Sequence, residues 1–182
     1  MTNKDLLFYK LPVEIAASKK LTQAEKLVAA YLFTLLNKGR VFYGSNAFLK
    51  NKIDVSMDEI SLCLSKFESI GLISINTDIK GKRQVNLLKN DCFSGKFYRL
   101  YFVIANNKEL TSLEKVLLSY ILSFIDNNQR FYATNGVVKD ILNISKDEFN
   151  AARKTFEENN WVKIIFPQTP MRELVIVNHP VL

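Results

Sequence analysis

Sliding the 182-residue sequence along itself by 89 positions sets residues 8–75 against residues 97–164 without a gap, and 21 of those 68 positions are identical. The identities include Phe8/Phe97, Tyr9/Tyr98, Thr22/Thr111, Glu25/Glu114, Lys26/Lys115, Tyr31/Tyr120, Phe42/Phe131, Asn46/Asn135, Lys50/Lys139, Ser56/Ser145, Glu59/Glu148 and Phe67/Phe156. A gapless internal match of this length decides the organisation before any local pattern is read. It implies two copies of one unit, residues 1–89 and 97–182, joined by a polar linker at 90–96 that contains Ser94 and Gly95.

Each copy carries two Ser/Thr-x-x-Glu signatures, in which a hydroxyl caps an orphan backbone N–H at a helix start and the Glu reaches back to the cap. Thr22 with Glu25 and Thr111 with Glu114 open a first long helix, whose stripe Leu27, Val28, Tyr31, Leu32 and Val116, Leu117, Tyr120, Ile121 has helical spacing and reads as core. Ser56 with Glu59 and Ser145 with Glu148 open a third helix, with Ile60, Leu64, Phe67 and Phe149, Ala152, Phe156 inward. Between them the pattern predicts a short helix at 46–52 and 135–141, capped by Ser45 or Thr134 and preceded by strand-like residues 41–43 and 130–132. After the third helix the period changes to that of strands, at 72–76 with 84–88 and at 161–166 with 173–177, so each copy ends in a hairpin. The tip of the first hairpin is basic, with Lys80, Lys82 and Arg83 around Gly81. The second is stiffened by Pro167 and Pro170, with Arg172 beside it.

The apolar fraction, 48%, is that of a globular protein, and 13 Phe with 7 Tyr supply bulk for a core. A net charge of +7, from 25 Lys and Arg against 18 Asp and Glu, favours a polyanionic partner. Two Cys and one His cannot complete a four-ligand zinc site without carboxylates, and Cys63 and Cys92 are not spaced as a redox pair, which fits a reducing, cytoplasmic compartment. No export signal is expected within residues 1–10, and the longest apolar tracts, 27–36 and 116–125, fall short of the roughly 20 residues of a membrane span. Ser94-Gly-Lys96 lacks the glycine and hydroxyl pattern of a phosphate-binding loop. Asp58, Glu59, Asp147 and Glu148 read as helix-dipole and capping residues rather than an acid–base pair, and His179 as a tail residue. Cys63 and Trp161 read as core, and Cys92 as an incidental thiol. The expectation is therefore a non-enzymatic protein without cofactor or metal.

The order helix, short strand, helix, turn, helix, hairpin resembles a winged helix-turn-helix domain, here twice. The helix-turn-helix cores fall at 45–70 and 134–159, with turns at Asp54-Val-Ser and Asn143-Ile-Ser. As a tandem pair, opening on Phe8-Tyr-Lys-Leu-Pro12 before a long helix, the chain resembles the initiator proteins of plasmid and phage replication and related regulators. The resemblance implies an α+β, mainly α fold of two tandem winged-helix domains. It also implies sequence-specific binding of double-stranded DNA in replication initiation or transcription control of a mobile element. The chain itself, or replication and transcription proteins, are further partners of such a protein, and a membrane is not.

A third helix fits the major groove while its hairpin and the start of the second helix meet phosphates. In the second copy Lys146, Asn150, Arg153 and Lys154 lie outward on that helix, supported by Thr134, Lys139 and Arg172. In the first copy the equivalent positions are Met57, Ser61, Leu64 and Ser65, followed by Lys66, so the positive charge shifts to Lys50, Lys52 and the wing residues Lys80, Lys82 and Arg83, beside Ser45. That copy is expected to grip phosphate more than to read bases. The alternative is a winged-helix protein-interaction module that never touches DNA, favoured by the weakly charged third helix of the first copy with Met57, Leu62 and Ser65 outward. The apolar segments 8–15 and 97–105 are expected as strands able to pack the two copies together.

Overall fold

The computed structural model describes residues 8–36, 40–77, 82–88, 95–132, 135–165 and 173–177, and over these the chain is a mixed α+β protein with small antiparallel sheets. One order of elements is run through twice. The first passage comprises β1 (Phe8–Pro12), the single turn α1 (Val13–Ala16), α2 (Gln23–Leu36), α3 (Asn46–Ile53), α4 (Met57–Ser69), β2 (Ile73–Thr77) and β3 (Arg83–Leu87). The second comprises β4 (Phe97–Tyr101), α5 (Phe102–Ala105), α6 (Ser112–Ser123), β5 (Arg130–Tyr132), α7 (Asn135–Leu142), α8 (Lys146–Glu158), β6 (Val162–Ile165) and β7 (Glu173–Ile176).

All four Ser/Thr-x-x-Glu signatures close as reciprocal caps. At Ser56 the hydroxyl accepts from Glu59 N while Glu59 Oε2 accepts from Ser56 N, and Thr22/Glu25, Thr111/Glu114 and Ser145/Glu148 do the same. The two turns between helices are left by residues in the left-handed region at equivalent places, Asp54 (φ 51°) and Asn143 (φ 52°), both residue types that tolerate that region. The ends of α4 and α8 also match. Leu72 N donates to Phe67 O and Trp161 N to Phe156 O, both at 2.9 Å, around Gly71 and Asn160 at positive φ. Trp161 then stacks on Phe156 at 6.1 Å, at the edge of the core as its sequence position implies.

Two expectations about strands are corrected. The segments 8–15 and 97–105 leave extended geometry after Pro12 and Tyr101 and wind into α1 and α5. Each single turn carries two consecutive residues inward, Ile15 with Ala16 and Ile104 with Ala105, which the alternating faces of a strand cannot do. Residues 41–43 form no full strand: Phe42 alone bridges to Val85, with both backbone bonds made, whereas its equivalent Phe131 lies within β5 on the edge of a three-stranded sheet ordered β5-β7-β6.

The two halves meet in one core. β1 pairs with β4 antiparallel in the register Phe8↔Tyr101, Tyr9↔Leu100, Lys10↔Arg99, Leu11↔Tyr98 and Pro12↔Phe97. Lys10 and Arg99 are equivalent in the repeat and opposite each other in the ladder, so a local two-fold axis passes between them and the junction is isologous, like that of a symmetric dimer. Tyr9, Leu11, Tyr98 and Leu100 point from the ribbon into the core above α2 and α6. Leu11 and Leu100 are fully buried, and each contributes about 1.5–3 kcal/mol by leaving water. The central outward amide on each edge of the ribbon is also occupied. Lys10 N donates to Thr34 Oγ1 at 2.6 Å and Arg99 N to Ser123 Oγ at 2.8 Å, which blunts both edges against further strand addition. On the open face Phe8 stacks on Phe97 at 5.9 Å, with Lys10 over Phe97 and Arg99 over Phe8.

Candidate nucleic-acid interface

In the first half the start of α3, the first turns of α4 and the base of β3 converge on one polar chain. Arg83 Nη2 donates to Gly44 O at 2.6 Å and Nη1 to Asn46 Oδ1 at 2.7 Å, while Asn46 Nδ2 donates to Ser61 Oγ at 2.6 Å. Arg83 was expected to project from the hairpin. It is instead half-buried, and burial lowers its affinity for the proton. Gly44 O and Asn46 Oδ1, both half-buried, lie within reach of a planar fork, and two short bonds from one guanidinium fix it there. The network brings Ser61 and Arg83 together beside Ser45, whose Oγ is engaged as the cap of α3 through Phe48 N.

Two further placements depart from the sequence reading. Leu64 belongs to the inward stripe alone, at 2% exposure. Lys66 does not extend the outward face: its Nζ donates to Lys20 O at 2.7 Å and pairs with both carboxylate oxygens of Glu25, at 2.8 and 2.9 Å, fastening α4 to the start of α2. α4 shows to solvent Met57, Asp58, Glu59, Ser61, Leu62, Ser65, Glu68 and Ser69, three of them acidic, with Leu62 at 71% exposure. The cations nearest in the chain are Lys50 and Lys52, both exposed in the last turn of α3 with Lys52 over the Phe48 ring, and Lys82, exposed before β3.

On α8, Lys146 is exposed in the first turn and Asn150 half-buried one turn on. Arg153 Nε stands 3.9 Å from Glu157 and Lys154 Nζ 3.6 Å from Glu158, both pairs four residues apart on the helix. The Lys154–Glu158 pair is exposed and weak, about 0.3–0.5 kcal/mol, so a phosphate can displace it, whereas Arg153 is half-buried with its Nε out of contact with solvent. Lys139 is half-buried in the last turn of α7. Lys80, Thr134 and Arg172, together with Gly81, Cys92, His179 and the second hairpin tip, lie outside the described residues. Cys63 is buried, and burial pushes its thiol well above the ordinary range, so it packs as a small apolar group.

Two residues at the junction carry more than their sequence positions imply. Lys26 and Lys115, in α2 and α6, have no exposed surface. Lys26 Nζ donates to Leu142 O at 2.8 Å across the junction, and Lys115 Nζ to Ile53 O at 3.3 Å with Asp54 Oδ2 at the same distance. Burial lowers the pKa of Lys26 from 10.5 to about 8 and lowers that of Lys115, where the Asp54 carboxylate works the other way. The available signal was their recurrence: a lysine stands at one place in both copies, on an otherwise apolar stripe.

No protein-family model matches the sequence, and no curated protein matches it. Among the described residues no helix is long and apolar enough to cross a membrane.

Proposed function

We propose that the chain is a non-enzymatic, sequence-specific double-stranded DNA-binding protein of two tandem winged-helix domains, 1–89 and 97–182, acting in the cytoplasm in replication initiation or transcription control of a plasmid, phage or similar element. The observation that carries this reading is the isologous β1–β4 junction, beside which the reciprocal contacts of Lys26 with Leu142 O and Lys115 with Ile53 O tie each half to the short helix of the other. Two-fold related helix-turn-helix units read half-sites in inverted orientation, about 10 base pairs apart or a multiple of that. The charge of +7 supports a polyanionic partner.

On this reading Lys146 and Asn150 of α8 meet base edges, Lys154 exchanges its glutamate for a phosphate, and Lys50, Lys52 and Lys82 grip the backbone on the first half. Arg83, Ser61 and Asn46 shape that half rather than touch DNA. The rival is a protein-interaction module, favoured by the cation-poor outer face of α4 with Met57 and Leu62 exposed. Retardation of random and element-derived duplexes at about 50 and 200 mM salt separates the two. Binding that weakens steeply with salt and prefers some sequences supports DNA recognition, and no retardation at the lower salt favours the rival.

A further inference from the structure

We propose that Lys26 and Lys115 are positioning residues that set the spacing of DNA half-sites the chain accepts, because each holds the helix-pair turn of the opposite half. The inference rests on the DNA-binding reading above. Its geometry is reciprocal. Lys26 and Lys115 are equivalent in the repeat, and so are the carbonyls they reach, Ile53 O and Leu142 O, each belonging to the last residue of the short helix before the turn. Each long helix of one half therefore ends the short helix of the other.

A buried ammonium is costly unless its donors are used, and here the acceptors are C-terminal helix carbonyls, where a cation also meets the negative end of the helix dipole. The turns held in this way, at Asp54 and Asn143, lead into α4 and α8 within three residues, since Ser56 and Ser145 are already their caps. A slip at either contact therefore passes directly to the helix proposed to lie in the groove. The same lysines would add little to a purely protein-binding surface, because neither reaches solvent. The arrangement is not fully symmetric: Lys115 has a carboxylate, Asp54, where Lys26 faces Asn143 in the equivalent place. Gln23 Nε2 approaches Leu142 O at 3.5 Å on the Lys26 side only.

The test uses the full chain with Lys26→Met and Lys115→Met, singly and together, which keeps volume and removes the ammonium groups. The first readout is affinity for duplexes whose half-sites are moved apart or together by one or two base pairs. Wild type should lose at least about tenfold at a two-base-pair shift, and the folded double variant no more than about threefold, with the salt slope unchanged. The second readout needs no DNA: spin labels at Asp58→Cys and Asp147→Cys, equivalent exposed positions at the starts of α4 and α8, in a Cys92→Ala background with buried Cys63 left in place. The interlabel distance distribution should be narrow in the native chain and broad in the double variant. Should the double variant fail to fold, the single variants carry both readouts, each expected to show part of the effect. A folded variant with native spacing preference and a native distance distribution overturns the proposal, as does a wild type indifferent to spacing. If wild type retards no duplex, the DNA reading fails with it, and a distribution left narrow in the variants would show that the lysines do not fix the two helices at all.

Discussion

Replacing Arg83 by Ala separates a structural tie from a phosphate contact. The guanidinium makes two short bonds, to Gly44 O and Asn46 Oδ1, and through Asn46 it reaches Ser61 on α4. A hydrogen bond from a charged donor contributes about 1.5–3 kcal/mol, and half-exposure returns part of that to solvent, so the loss of both should cost about 2–4 kcal/mol. For a chain of this size each kcal/mol moves Tm by about 2–4 °C, which predicts a fall of roughly 5–15 °C by calorimetry. Lys82→Ala, one residue away and exposed, should change stability by no more than about 0.5 kcal/mol. Arg83→Lys should recover less than half of the loss, since an ammonium cannot span two acceptors in the plane of the fork. An Arg83→Ala variant as stable as Lys82→Ala, with DNA affinity alone reduced, would refute the tie and return Arg83 to the phosphate-binding set.

Changing Lys50, Lys52 and Lys82 together to Ala should weaken random and specific duplex binding alike and flatten the slope of log affinity against log salt by up to about 3, measured by titration at several salt concentrations; an unaltered slope would make these lysines solvated surface only. Asn150→Ala should relax base preference at one position by about 1–3 kcal/mol in a competition assay while leaving random-duplex binding nearly intact. Stability should depend on pH with a definite sign. Lys26 has a pKa of about 8 when folded against 10.5 ordinarily, so the unfolded chain holds more protons between those values and stability should climb by up to about 2 kcal/mol from pH 8 to 10. Above pH 10 it should fall, because burial raises Tyr98 to about 12 and Tyr9 further still, leaving the folded state with the protons the unfolded chain has lost. Lys26→Met should flatten most of the climb, and a native chain whose Tm does not rise between pH 8 and 10 would contradict the account.

The repeat made most of the fold legible because it doubles every local signal. Four capping boxes, two left-handed turn residues and two matching helix ends each occur at the same offset, and a chance pattern would not recur in register. The junction was legible only as an apolar segment. Strand pairing across 89 residues leaves no mark in either strand alone, and the turn at Pro12 and Tyr101 is dictated by the core beneath Ile15 and Ile104 rather than by local propensity. The placement of the candidate site's cations was less legible, for one physical reason. A lysine or arginine looks alike in sequence whether it is solvated or buried, and only the acceptors brought near it decide. Glu25 and Lys20 O claim Lys66, Gly44 O and Asn46 claim Arg83, and the carbonyls at Leu142 and Ile53 claim Lys26 and Lys115. Each of those acceptors comes from a different element, most of them many residues away.

Hydroxyl-radical footprinting of the full chain on duplexes selected from a random pool tests the central claim most directly. On the proposed reading, the helix pairs α3–α4 and α7–α8 on either side of the axis between Lys10 and Arg99 should protect two half-sites in inverted orientation, with centres about 10 base pairs apart or a multiple of that. Selection that enriches no sequence, or a footprint confined to one patch or to two half-sites in direct repeat, would contradict it.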